Sequence, residues 1–336
     1  MRLRRSELSS PGIKRQRRGR GFRYLAPDGS PVRDPETLER IRGLVVPPAW
    51  RRVWICPHPT GHIQAVGVDD AGRRQYLYHP EWRRARDEEK HDRVLALAAE
   101  LPDVRAAIQH DLRRRPLDRR RVSAAALRMI DRGVFRSGGE EYVEANGSHG
   151  ATTLLREHVK ISGDELDFRY PAKSGLVREL SLRDPDLAAV LKTLRRCRTG
   201  TSRILVYRTN DGWHELRAPE VNERFKELAG EEFTVKDLRT WHATVLAAVS
   251  LAAQEVPTSQ RGRARAATAA MKEVAEELGN TPAVARRSYV DPRVLREFDR
   301  RTTIHRAVRK ADGLADEELR ERIEQAVIRL LRRASA

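Results

Sequence analysis

Residues 278–289 read LGNTPAVARRSY. Leu278-Gly279 carries the signal that ends one helix, Thr281-Pro282 opens a short second one, and Arg286-Arg287 bring positive charge up to Tyr289. Val290-Asp291-Pro292 then restarts the chain into a further helix. Alone, the window describes a helix junction with a packed tyrosine. Its company changes that reading. Arg239 lies in Lys236-Asp237-Leu238-Arg239-Thr240-Trp241, Arg136 closes a predicted helix, and Lys173 falls in a turn between two predicted strands. With Asn280 and Tyr289 they make two arginines, a lysine, an amide and a tyrosine, the set that metal-free attack on a phosphodiester needs.

Composition narrows the partner. The 336 residues include 66 Lys+Arg against 48 Asp+Glu, a formal net charge of +18. A chain of this length buries a substantial core and has room for two domains. Such a basic balance selects a polyanion, nucleic acid ahead of a membrane surface. The first 24 residues hold nine basic side chains against Glu7 alone, which reads as a flexible arm over residues 1–21 that touches phosphates without reading bases. Cys56 and Cys197 lie far apart, with no second Cys or His at ligand spacing, so no metal site and a reduced compartment are expected. No apolar run approaches the roughly 18 residues of a spanning helix, and the expected setting is the cytoplasm.

Residues 22–90 read mostly as strands: Phe22 to Ala26 before an Asp28-Gly29 turn, then Arg52 to Cys56, His62 to Val68 and Arg73 to Tyr78. In the last of these, Gln75, Tyr76 and Tyr78 follow Arg73 and Arg74, a polar and aromatic set suited to groove contact. Residues 91–336 read as mainly helical. Helices are expected over Glu81–Glu100 (ending before Pro102), Val104–Arg114, Asp118–Phe135, Pro185–Cys197, Pro219–Leu228, Val235–Ala253, Arg263–Leu278, Pro292–Arg309 and Asp316–Arg333. Short strands interrupt them at Thr152–Leu155, Val159–Ile161, Glu165–Tyr170 and Leu176–Ser181. The class is α+β.

The candidate chemistry follows from side-chain properties. An arginine fork holds two phosphate oxygens and stays charged. A lysine, with an ordinary pKa near 10.4, delivers a proton to a departing alkoxide, and a tyrosine near 10 loses its own proton more easily beside cations. Asn280 donates a hydrogen bond without titrating. The chain has no Gly-x-x-x-x-Gly-Lys-Ser/Thr, since Lys173-Ser174 follows Ala172, and no compact carboxylate cluster for paired magnesium ions.

The stretches VPPAWRRVWICPHPTGHIQAVGVDDAGRRQYLYHPEW, FRSGGEEY, YPAKSG, KDLRTWHA and LGNTPAVARRSY together resemble the type IB DNA topoisomerases of the small bacterial, poxvirus-like kind. The resemblance runs from Phe22 onward. It implies a β-rich N-terminal domain and a mainly helical catalytic domain closing as a clamp on duplex DNA, with no cofactor. Arg136, Lys173, Arg239, Asn280 and Tyr289 match the family's catalytic set, and Gln75, Tyr76 and Tyr78 its major-groove strand, with Arg73, Arg74 and Lys236 as further DNA contacts. It also implies a 3′-phosphotyrosyl intermediate, relaxation without ATP and a monomer at the bacterial nucleoid.

Two positions depart from the poxvirus pattern. Asn280 stands where those enzymes carry His, and Glu140 and Glu141 fall in a segment expected to face DNA. A tyrosine recombinase shares the Arg, Lys, Arg and Tyr logic, yet it usually has His where this chain has Lys236 and Asn280. A DNA-binding clamp without chemistry is the other alternative, and the complete five-residue set argues against it.

Overall fold

The computed structural model describes residues 2–133, 135–253, 255–310 and 315–335. The chain divides into two compact units, Met1–Lys90 and His91–Ala336. The α+β class holds, with a small β-rich first unit and a mainly helical second one.

In the first unit, β1 (Ile13–Arg18) pairs antiparallel with β2 (Gly21–Leu25). Helix α1 (Pro35–Gly43) starts at Asp34, whose carboxylate accepts from the Thr37 amide, with proline at the first helical position. Strands β3 (Arg51–Ile55), β4 (Ile63–Val68) and β5 (Arg74–Tyr78) complete an antiparallel sheet of order β2-β1-β3-β4-β5. Ile13, Ile41, Val53, Ile55 and Ala65 form its core.

The flexible arm expected over residues 1–21 is corrected by this sheet. β1 lies between β2 and β3, and the Arg4 backbone bonds Thr60 and His62. The Arg15 guanidinium donates to the carbonyls of Val46, Pro47 and Trp50. Backbone pairing and one buried isoleucine order a segment whose charge suggested a solvated tail.

The second unit opens in α2 (Pro80–Leu112), which continues through Pro102 where a stop was expected. Proline costs a helix one donor, but Leu97, Ala98, Leu101, Val104 and Ile108 are buried along the same helix and anchor both halves. Then come α3 (Arg119–Gly133) and the short α4 (Glu140–Asn146), which sequence periodicity did not suggest. Val134, inside the helix expected to reach Phe135, lies outside the described residues. The strand expected at Thr152–Leu155 is instead a single 3-10 turn at Ala151–Thr153, because both threonine hydroxyls bond nearby backbone.

Strands β6 (Val159–Ser162), β7 (Glu165–Pro171) and β8 (Val177–Arg183) form an antiparallel sheet, with Lys173 beginning the turn between β7 and β8. Helix α5 (Pro185–Arg196), the hairpin β9 (Val206–Thr209) and β10 (Gly212–Glu215), and α6 (Ala218–Ala229) follow. The remaining helices are α7 (Val235–Ala252), α8 (Gln260–Leu278), α9 (Pro282–Ser288), α10 (Pro292–Asp299), α11 (His305–Lys310) and α12 (Asp316–Ser335).

A continuous helix was expected over Pro292–Arg309, and the chain breaks it after Asp299. Arg301 adopts a left-handed φ of 63°, and the Thr302 amide reaches back to the Glu297 carbonyl at 2.8 Å. That closure normally uses glycine, so no turn residue announced it.

Helices α2, α3, α7 and α12 are joined by a buried polar network. Asp131 accepts from Arg105 and Arg320, His242 Nε2 lies 3.2 Å from it, and Glu324 binds both arginines. The arginines, with the His242 contact, overcome burial and hold the Asp131 carboxyl well below the ordinary range.

Candidate active site

Tyr289 caps the C-terminal end of α9, its amide bonded to the Ala285 carbonyl. Its carbonyl accepts from Thr244 Oγ1 at 3.3 Å, and the same hydroxyl accepts from the Asp291 amide at 3.1 Å. Thr244 therefore fixes the tyrosine's backbone against α7, the helix that also carries Arg239. No sequence signal marks this threonine.

Only 9% of Tyr289 and 5% of Arg239 are exposed. The Arg239 guanidinium carbon stands 5.5 Å from the Tyr289 ring centroid, and its Nη2 donates to the Leu278 carbonyl at the end of α8. Desolvation, then the charge of Arg136, pulls the Arg239 pKa down to about 10. For Tyr289, burial alone would raise the phenol's pKa. The charges of Arg239 and Arg136, a hydrogen bond from Arg136 and the charge of Lys236 outweigh that, and the net direction is downward.

Arg136 reaches the same place from the loop after α3. Its Nη2 donates to Asn280 Oδ1 at 3.2 Å. Asn280 Nδ2 is buried and has no partner, an unsatisfied donor that an incoming oxygen would satisfy. The Arg136 loop is held from behind: its carbonyl accepts from the Ala151 amide, and the Ser137 carbonyl from the Thr152 amide. Gly150 and Gly138 permit this approach. A Cβ on Gly150 would sit 2.6 Å from Gly138 Cα and 2.7 Å from the Arg136 carbonyl oxygen, and Gly138 has a φ of 91°.

Four of the five expected catalytic residues thus converge: Arg136, Arg239, Asn280 and Tyr289. Lys173 is not bonded to them among the described residues. It is exposed at the start of its single turn. Lys236 is exposed in the first turn of α7, close enough for its charge to act on Tyr289.

Glu140 does not present a bare carboxylate. Arg203 and Arg217 each bind it at 2.6 Å, while Glu141 is exposed.

In the first unit, the expected groove set divides between the two faces of β5. Tyr76 and Tyr78 stack with centroids 6.0 Å apart, and Arg74 lies over Tyr76 at 5.8 Å. Gln75, expected beside them, shares the opposite face with Leu77, which packs on the core. Its amide donates to Asp69 Oδ2, which also accepts from Arg73. Alternation along the strand separates neighbours that adjacency in sequence grouped together.

Among the described residues there is no group of three or more His, Cys, Asp or Glu that could hold a metal ion, and no helix long and apolar enough to cross a membrane.

Residues 79–312 match the family profile described as "Eukaryotic DNA topoisomerase I, catalytic core", and residues 21–69 that of "Bacterial DNA topoisomerase IB, N-terminal domain". The DNA topoisomerase 1B of Acanthamoeba polyphaga mimivirus is 30% identical over 287 residues, which cover 83% of this chain and 85% of that one. The DNA topoisomerase 1B of vaccinia virus (strain Copenhagen) is 24% identical over 241 residues, 68% and 70% of the respective chains. The chain belongs to the type IB DNA topoisomerases, isomerases that act on DNA.

Proposed function

We propose that this chain relaxes supercoiled duplex DNA by cutting and resealing one strand through a 3′-phosphotyrosyl link on Tyr289, without ATP or an essential metal. The observation that carries the reading is the buried Tyr289 phenol under Arg239 and Arg136, whose charges favour its anion. The phenol loses its proton to water and its oxygen attacks the phosphorus in line. The bond from phosphorus to the 5′ oxygen breaks as that oxygen takes a proton from the Lys173 ammonium. Arg136, Arg239 and the Asn280 amide receive the charge that develops on the non-bridging oxygens. Rotation of the free end follows, and resealing runs the same steps backwards.

Lys173 is exposed and not bonded to the other four, and in this reading the turn that carries it meets the 5′ oxygen once DNA is bound. Arg74, Tyr76 and Tyr78 present one cationic and aromatic face to the duplex, and Lys236 meets phosphate near the scissile bond. Gln75 and Arg73 support that strand through Asp69. The protein acts as a monomer at the nucleoid. Supercoiled plasmid incubated with the protein in EDTA, without ATP, tests the reading: relaxation is expected, with a covalent adduct on the 3′ side of the nick. An unrelaxed plasmid, or an adduct on the 5′ phosphate, overturns it.

A further inference from the structure

Arg178 carries a role that the reading above leaves unfilled. It lies on β8, opposite Tyr170 of β7 in the hairpin whose turn begins at Lys173. Its side chain is 17% exposed, and Nη2 donates to two acceptors from different segments. One is the Gly133 carbonyl, at 3.0 Å, the last residue of α3 before the Arg136 loop. The other is Glu277 Oε1, at 3.2 Å, next to Leu278 whose carbonyl holds Arg239, and close to Asn280. Its charge also bears on Arg239, helping to lower that group's pKa after desolvation and Arg136.

The hairpin needs such a tie. Leu176 and Val177, beside the turn, are exposed, so the tip has little apolar packing of its own. On its other side the tip is held through backbone groups: the Pro171 carbonyl accepts from the His149 amide and the Ala172 carbonyl from Ser148 Oγ. Among the described residues of the hairpin, Arg178 alone joins by its side chain both the segment leading to Arg136 and the helix end that holds Arg239 and Asn280.

We propose that Arg178 is a positioning residue for the proton donor: it fixes the Lys173 turn relative to Arg136, Arg239 and Asn280. The inference rests on the reading of Lys173 as general acid. Its effect should therefore appear only where a proton must be delivered. A 5′ thiolate leaves readily without protonation, its conjugate thiol having a pKa of about 8.5, whereas a 5′ alkoxide does not.

The test is single-turnover cleavage, by the full chain, of matched duplexes with oxygen or sulfur at the 5′ leaving position. Lys173→Ala should be slow on oxygen and close to wild type on sulfur. Arg178→Ala should repeat that pattern, losing on the order of 100-fold on oxygen, as expected for a misplaced catalytic group, and little on sulfur. Arg178→Lys, able to reach one acceptor, should recover part of the loss. Equal slowing of Arg178→Ala on both substrates overturns the inference and makes Arg178 a phosphate contact or plain scaffold. If Lys173→Ala is not rescued by sulfur, the general-acid reading falls and the inference falls with it, a separate result. Should Arg178→Ala fail to fold, Glu277→Gln, which keeps the bond to Gly133, carries the same comparison.

Discussion

Arg239 faces the ring of Tyr289 with its guanidinium carbon 5.5 Å from the centroid, while the same guanidinium holds the Leu278 carbonyl. One cation therefore ties the end of α8 to the tyrosine that follows α9. It also sets the tyrosine's proton affinity, because a charge at this range in a dehydrated site is weakly screened.

The first prediction follows from that charge. Burial penalises the Tyr289 anion, Arg239 and Arg136 favour it, and the net pKa lies below 10.0. A near-ultraviolet titration should show a Tyr289 step below the ordinary tyrosine value of about 10. Tyr289→Phe should abolish that step and Arg136→Ala should move it up. A wild-type titration with no early step would contradict the electrostatics.

Removing either arginine should damage chemistry more than binding. Loss of one fixed donor to developing charge costs roughly 3 to 4 kcal/mol, or about 100- to 1000-fold in rate. Arg136→Ala and Arg239→Ala should lose that much in single-turnover cleavage. Duplex affinity, which many basic side chains share, should change far less. Cleavage within a few-fold of wild type would assign both to the scaffold.

Gly150→Ala tests whether the loop behind Arg136 sets its reach. The added methyl would meet Gly138 Cα at 2.6 Å, both backbones would have to separate, and Arg136 would withdraw. Cleavage should fall by on the order of 100-fold while far-ultraviolet circular dichroism stays unchanged. A fully active Gly150→Ala would show that Arg136 tolerates the shift.

Asp131→Ala should destabilise the second unit by roughly 3 kcal/mol, because Arg105 and Arg320 would keep their charge and be left to share Glu324 alone. The pH dependence has a definite sign. Both Asp131 and Glu324 are depressed in the folded state, the pull of their arginines exceeding burial. Their contribution is fully present above the ordinary carboxylate pKa, and it is lost as the pH falls to and through the depressed folded values. Thermal melts should find Asp131→Ala well below wild type at neutral pH, with the gap narrowing in strong acid. A constant gap would contradict the linkage.

The sequence by itself determined the class and the order of most elements, and it pointed to a polyanionic partner and to the five residues proposed as the catalytic set, because helix caps, strand alternation and short motifs are local. Asp34, Thr281 and Asp291 cap where their side chains and the following prolines say they should. Only the tertiary structure decided what depends on distant partners. The basic segment Ile13–Arg18 became an inner strand because β2 and β3 satisfy its backbone on both sides, something net charge cannot convey. Gln75 turned away from Tyr76 because a strand's faces alternate and Asp69 waits on the other side. Arg178 bonds Gly133 and Glu277, whose positions 45 and 99 residues away in the chain bear no local signature. Periodicity reports which face of an element is buried, whereas hydrogen bonds between segments far apart exist only once the chain has brought them together.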